Sequence, residues 1–287
     1  MSLISPEDLA TRLDDPDLRI VDVRWYLGQP GLGRAAYEAG HLPGAIFLDL
    51  DADLAAPTGP GRHPLPAPAD LAERLGRAGI GTEHLVVAYD DVGGWVAARL
   101  WWMLDDLGHG RTAVLDGGFP AWVAAGLPVT IRVPALPPAQ LELADRWTKV
   151  VDRDELLPRL GRVVLLDARG APRYRGETEP VDPVAGHIPT ALNAPTDGNL
   201  GPDGRFLPAA ELGARFRALG ADRAIEVVTS CGSGTSACHN SLAMRLAGLP
   251  DPILYPGSWS DWSRAGFPVA TGPEPGDPPG TPTPGSP

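Results

Sequence analysis

The sequence predicts an α/β protein built as a tandem duplication, each copy having a mostly parallel central sheet flanked by helices. Three observations carry this. Four landmarks recur in the same order at a spacing of about 140 residues, close to half of the 287-residue chain. Short apolar, β-branched runs alternate with helical stretches, as in parallel strands joined by crossover helices. Those runs are continuous rather than alternating, which strands covered on both faces require.

The first landmark pair is Ile20-Val21-Asp22-Val23-Arg24 and Leu165-Leu166-Asp167-Ala168-Arg169. Each is followed by a turn, Gly40-His41-Leu42-Pro43-Gly44-Ala45 in the first copy and Gly186-His187-Ile188-Pro189-Thr190-Ala191 in the second. The third pair is Leu85-Val86-Val87-Ala88-Tyr89-Asp90 and Ile225-Glu226-Val227-Val228-Thr229-Ser230-Cys231. The fourth is Leu115-Asp116-Gly117-Gly118-Phe119-Pro120-Ala121-Trp122 and Tyr255-Pro256-Gly257-Ser258-Trp259-Ser260-Asp261-Trp262, each followed by Ala-Gly-x-Pro-Val.

Strands are therefore expected over 20–23, 85–89, 163–167 and 225–229. Helices are expected over 95–107, stopped by Gly108, and over 236–247, stopped by Gly248 and then Pro250. The proline-bearing run 132–138 reads as a semi-rigid connection. The expected organisation is a domain over 1–131, a linker over 132–146, a second domain over 147–272 and a disordered Pro/Gly-rich tail over 273–287.

Composition narrows the function. Asp+Glu is 36 against Lys+Arg 24, a net charge of -12, and Lys149 is the only lysine. Neither a nucleic-acid surface nor a polybasic membrane segment is expected of such a chain. An apolar fraction of 43% supports two cores rather than disorder. The most apolar stretch, 95–104, is interrupted by Arg99 and is far shorter than the roughly 20 residues a bilayer span needs. The N-terminus has no basic start or apolar run, so a cytoplasmic location is expected. Two cysteines, Cys231 and Cys238, make neither a disulfide framework nor a cysteine-rich zinc site, and neither a cofactor nor a metal is expected. They remain inert thiols, a redox pair or a catalytic thiolate.

Local sequence discriminates among these. The strand ending at Ser230 runs into Cys231-Gly232-Ser233-Gly234-Thr235-Ser236 and straight into a helix, which places Cys231 at the carboxyl end of a parallel strand, where ligands gather. Gly232 and Gly234 let the backbone curl so that amides converge on the sulfur, and the helix adds the positive end of its dipole. Both favour a thiolate. The first copy has Asp90 at this position.

Together these motifs resemble those of the two-domain rhodanese-type sulfurtransferases over essentially residues 1–272. The resemblance implies a ping-pong enzyme in which Cys231 takes sulfur from a small donor, holds it as a persulfide and passes it to cyanide or a thiol, thioredoxin being one acceptor left open. It also implies an inert first domain, in keeping with Asp90, which cannot be a sulfur nucleophile. The neutral Cys-Gly-Ser-Gly loop is similar to that of members using 3-mercaptopyruvate, with Thr235-Ser236 where Val-Thr is expected; members using thiosulfate carry a cationic loop. Arg173 matches the family's substrate-carboxylate arginine. The further arginine common in such relatives is missing from 177–185, and Arg175 is its candidate substitute. Asp51 and His63 match a segment facing the cysteine loop in the family, so a Ser233-His63-Asp51 relay or a histidine capping the domain interface is expected. His41, His187 and the Asp22-Arg24 and Asp167-Arg169 pairs occur in both copies and read as structural.

Two rival readings use the same cysteine. A cysteine phosphatase needs an arginine where this chain has Ala237. A non-enzymatic redox sensor or scaffold would pair Cys231 with Cys238. Thiosulfate remains the alternative donor.

Overall fold

The computed structural model describes residues 2–221 and 226–280. Two compact units form. The first contains the chain up to Gly59, His63–Lys149 and Asn199–Pro208; the second contains Pro60–Arg62, Val150–Gly198 and the chain from Ala209. Each half of the sequence thus lends one short segment to the other unit.

The first unit runs β1 (Leu3–Ile4), α1 (Pro6–Ala10), β2 (Leu18–Asp22), α2 (Leu32–Ala39), β3 (Ala45–Phe47), α3 (Pro68–Arg77), β4 (Leu85–Tyr89), α4 (Ala97–Asp106), β5 (Thr112–Leu115) and α5 (Gly118–Ala124). Its sheet has the order β1-β5-β4-β2-β3, and every pair is parallel. The second unit runs α6 (Arg153–Leu156), β6 (Val164–Asp167), α7 (Ala171–Tyr174), β7 (Leu192–Asn193), α8 (Ala209–Ala218), β8 (Val227–Ser230), α9 (Ala237–Leu246), β9 (Ile253–Leu254) and α10 (Ser258–Trp262). Its parallel sheet has the order β7-β6-β8-β9, and a bridge from Val150 to Leu254 takes the place that β1 holds in the first unit. The central strands β4 and β8 are buried along their whole length, which explains their uninterrupted apolar sequences.

The recurring landmarks are recurring bonds. Arg24 Nη2 pairs with Asp22 at 2.6 Å and donates to the Gly40 carbonyl at 2.7 Å; Arg169 does the same with Asp167 and Gly186 at the same distances. This buried fork ties the end of the strand to the Gly-His turn. His41 stacks on Tyr37 and His187 on Tyr174, with centroids 3.9 and 3.7 Å apart, and each histidine Nδ1 bonds the tyrosine carbonyl. Trp122 donates to Pro128 and Trp262 to Pro268, both at 2.8 Å, closing the Ala-Gly-x-Pro turn. The structural reading of these histidines and ion pairs therefore holds.

Two connecting segments are more ordered than their composition suggests. Within 132–146, Ala139 N–H donates to Gly76 O at 2.9 Å, Thr82 N–H donates to Gln140 O at 3.1 Å, and Leu141 is buried. Of the tail expected to be disordered, Glu274 O lies 3.1 Å from His187 Nε2, and Pro278 sits against Gly161. A proline-rich segment needs no apolar run to pack, because ring faces and free carbonyls suffice. Residues 281–287 lie outside the described residues. Among the described residues, no helix is long and apolar enough to cross a membrane.

Candidate active site

Strand β8 delivers Cys231 at its carboxyl end, as the sequence predicts, and the residue is only 1% exposed. Three backbone contacts hold its loop. Ser258 Oγ accepts the Cys231 N–H at 3.0 Å, Trp259 N–H donates to Cys231 O at 2.9 Å, and Ser260 N–H donates to Gly232 O at 2.9 Å. Helix α10 is thus a clamp on the cysteine loop. Ser258 adopts φ 50, a left-handed conformation that a non-glycine residue seldom takes, while its hydroxyl donates to Tyr255 O at 2.8 Å. The first copy has Gly118 here, where a Cβ would come within 2.2 Å of Asp90 O. The second copy accepts strained backbone to place a hydroxyl on the cysteine amide.

The two loop glycines have different reasons. Gly234 has φ +76, and a Cβ would lie 2.5 Å from Pro256 O, so it serves the turn as expected. Gly232 is not left-handed; it is small because two guanidiniums crowd it. A Cβ there would lie 2.9 Å from Arg62 Nη2 and 3.5 Å from Arg173 Nη1. Ser233 and Thr235 are buried beside it, and Ser236 precedes α9, its carbonyl accepting the His239 N–H at 3.2 Å. Cys238 is fully buried on α9, its thiol donating to Gly234 O at 3.3 Å.

Behind the guanidiniums stands a set of buried carboxylates. Glu179 accepts from Arg173 Nη2 at 2.6 Å and Nε at 3.2 Å, and its Oε1 caps the amides of Val181 and Asp182 at 3.1 Å each. Asp182 pairs with Arg62 and stands 3.5 Å from Arg173. Arg169, stacked 4.7 Å from the Trp259 ring, lies 3.5 Å from Glu179. Burial pushes its proton affinity down, but the charges of Asp167, Glu179 and Cys231 outweigh this and hold it above the ordinary value. Burial likewise pushes the Glu179 carboxyl up, yet Arg173 and the two amides hold it below its usual 4.5. The folded form thus binds this proton more weakly than the unfolded chain does. The stability Glu179 supplies is therefore complete above pH 4.5 and is lost as pH falls through the depressed value. Urea unfolding followed from neutral pH to below 4.5 is expected to show a shallower acid loss in Glu179→Gln than in the parent. Equal slopes would remove Glu179 from the acid response.

The predicted relay residues divide between the units. Asp51 and His63 belong to the first and Ser233 to the second. Within the first unit, His63 Nε2 lies 3.0 Å from Asp51 Oδ1, Asp51 Oδ2 accepts from Trp25 Nε1 at 2.8 Å, and Arg99 Nη2 donates to His63 O at 3.0 Å. Arg175, the candidate second substrate arginine, is instead engaged in a partly exposed bidentate pair with Glu177 at 2.7 and 2.9 Å. Sequence reasoning missed Arg62, Glu179, Asp182 and Ser258. Glu179 and Asp182 lie in 177–185, where no arginine occurs, and Arg62 immediately precedes His63.

The first unit shows what this loop does with a carboxyl group. Asp90 Oδ1 accepts from the amides of Val92 at 3.0 Å and Gly94 at 2.7 Å, and Oδ2 accepts from Val96 at 2.9 Å and Ala97 at 3.0 Å. Four amides converge on the position that the repeat aligns with Cys231.

Fold and site together define a class, and comparison with known proteins agrees. The rhodanese-like domain family matches residues 5–125 and 152–265, and the chain belongs to that family. It is an enzyme of the sulfurtransferase class. It is 48% identical over 278 residues to a Pseudomonas aeruginosa protein named "Probable 3-mercaptopyruvate sulfurtransferase", covering 94% of this chain and 98% of that one. It is 37% identical to the human 3-mercaptopyruvate sulfurtransferase, covering 91% of each, and 35% identical to the rat thiosulfate sulfurtransferase, covering 87% and 86%. The crystal structure of SseA from Escherichia coli matches at a TM-score of 0.80 and 32% identity, over 91% of this chain and 100% of that one.

Proposed function

We propose that the chain transfers sulfur from 3-mercaptopyruvate to a thiophilic acceptor through a persulfide on Cys231. The observation that carries this is the placement of Cys231 at a buried strand end, with Arg173 turned toward the adjacent Gly232. In the first half-reaction the Cys231 thiolate attacks the donor sulfur. An S–S bond forms, the C–S bond breaks, and its electron pair stays on carbon as the enolate of pyruvate, which takes up a proton. In the second, cyanide or a thiolate attacks the outer sulfur and returns Cys231 as thiolate. The amides that hold Asp90 in the first unit have repeat counterparts in the second loop, suited to the charge on the outer sulfur.

Arg173 is the proposed carboxylate ligand. Arg173→Ala is expected to raise KM for 3-mercaptopyruvate about 10- to 100-fold, equivalent to about 1.5–3 kcal/mol of charge-assisted hydrogen bonding. An unchanged KM would return Arg173 to a purely structural pairing with Glu179. The acceptor is read as cyanide or a small thiol, with thioredoxin a protein thiol of the same chemistry. A cytoplasmic location suits a carrier thiol, since that compartment keeps thiols reduced.

A thiosulfate donor is the second reading, favoured by two guanidiniums beside Gly232. Glu179 and Asp182 offset both charges, which suits a single carboxylate better than a dianion. Steady-state kcat/KM measured side by side decides: a higher value with 3-mercaptopyruvate is expected, and a higher value with thiosulfate overturns the donor assignment.

A further inference from the structure

The two copies hold the same loop by different means. In the first the anchor lies inside the loop, where the Asp90 carboxyl gathers the amides of Val92, Gly94, Val96 and Ala97 at 2.7–3.0 Å. At the matching position Cys231 offers one sulfur, a weak acceptor, where Asp90 offers two oxygens. A sulfur that exchanges partners during turnover is no fixed anchor either. The second loop is held from outside instead, by α10. Trp259 N–H donates to Cys231 O as Phe119 N–H does to Asp90 O, at 2.9 and 2.8 Å, so this bond belongs to both copies. The other two ties are the Cys231 N–H to Ser258 Oγ at 3.0 Å and Ser260 N–H to Gly232 O at 2.9 Å. The first copy cannot make them, because Gly118 has no side chain and Pro120 has no N–H.

Ser258 is placed there against its backbone preference. Gly118 and Ser258 share one conformation, φ 58 and φ 50, in the left-handed region that favours glycine. The first copy meets it with glycine, the second with a serine that is fully buried. The hydroxyl is oriented by donating to Tyr255 O at 2.8 Å, which turns a lone pair to the Cys231 N–H. Tyr255 is held in turn, its N–H donating to Thr229 O at 2.9 Å and its hydroxyl to Asp261 Oδ2 at 2.7 Å. Ser258 thus ties the Cys231 amide to the sheet itself, through the residue that follows β9. Backbone strain kept for one hydrogen bond, at a position where the two copies differ, points to function. We propose that Ser258 is a positioning residue for sulfur transfer, its hydroxyl fixing the main chain of Cys231 so that the sulfur keeps one place through both half-reactions. This rests on the reading of Cys231 as sulfur carrier. The proposed donor ligand Arg173 stands on α7, so the effect belongs to the chemical steps and not to donor binding.

The test uses the full chain with Ser258→Ala, which keeps the Cβ and removes the hydroxyl, and Ser258→Gly, which restores the residue of the first copy. In both, kcat with 3-mercaptopyruvate and cyanide is expected to fall about 10- to 100-fold, with KM within about threefold. Loading of Cys231, followed by intact mass as the gain of one sulfur atom, and its discharge by cyanide should slow to a similar extent. Stability should separate the two variants. Glycine relieves the left-handed strain and alanine does not, so Ser258→Gly should melt above Ser258→Ala while losing the same activity. A residue needed only for the fold would show activity following stability, with glycine restoring kcat. Parent kcat in either variant, or a loss confined to KM, overturns the proposal. So does failure of both to fold, since the hydroxyl would then be a requirement of the fold itself. The carrier reading fails separately, through turnover by Cys231→Ser or a parent chain that gains no sulfur. Sulfur on Cys231 of the parent beside parent rates in Ser258→Gly removes Ser258 alone.

Discussion

Cys231→Ser is expected to lower sulfur transfer by at least about a thousandfold with either donor, while Cys238→Ser retains most of the activity. A hydroxyl at 231 keeps the loop's backbone bonds to Ser258, Trp259 and Ser260, since all three use main-chain atoms of residues 231 and 232. What it removes is the sulfur atom proposed to carry the persulfide. Cys238, by contrast, is fully buried and hydrogen-bonded to Gly234 O, as a core thiol would be. Intact mass after donor treatment supplies the independent readout. The parent and Cys238→Ser should gain one sulfur atom on Cys231, and Cys231→Ser should gain none. Equal losses in both mutants, or loss of two hydrogens from the parent without added sulfur, would replace the persulfide with a dithiol and restore the redox-sensor reading.

The largest stability effect is expected in the first unit, at Asp90. Burial pushes this carboxyl above its ordinary 3.8 while the four loop amides pull it back, and in either protonation state its oxygens are the acceptors for those amides. Asp90→Ala strands them in a site that is fully buried. At about 1 kcal/mol or more for each unsatisfied buried donor, the loss should be about 3–5 kcal/mol, lowering the melting temperature by about 10 °C. Asp90→Asn keeps one acceptor oxygen but turns an NH2 toward two donors, so it should fall between. The measurement is chemical denaturation followed by far-UV circular dichroism. A loss under about 1 kcal/mol for Asp90→Ala would mean that water replaces the carboxylate without cost, and the cradle would cease to explain why the first unit retains an acid there.

The chain's own repetition made the fold legible. A duplicated sequence exposes which residues recur for structural reasons, and the structure shows that these recurrences are bonds: Arg24 and Arg169 to their glycine carbonyls, Trp122 and Trp262 to their prolines. The same comparison isolates what differs, and Cys231 against Asp90 is a local contrast readable from a strand, a glycine-bearing loop and a helix. Arg173 was reachable in the same way, through a motif on one short helix. Its carboxylate partners were less visible, because an acidic residue in an acidic chain reads as surface until a buried cation is seen beside it. Ser258 was invisible as a strained residue, since backbone φ follows from the packing of α10 on the loop rather than from the Gly-Ser-Trp sequence.

By itself, then, the sequence determined the duplicated parallel α/β architecture, the position of Cys231 at a strand end and the lack of any sulfur nucleophile at Asp90. These rest on local pattern and on residue chemistry, which neighbouring residues suffice to define. Only the tertiary structure decided which cations stand beside Gly232. It set Arg175 against Glu177 and brought Arg62 to the loop instead, because charge pairing through space depends on which carboxylate the fold buries next to which guanidinium. No spacing along the chain encodes that choice.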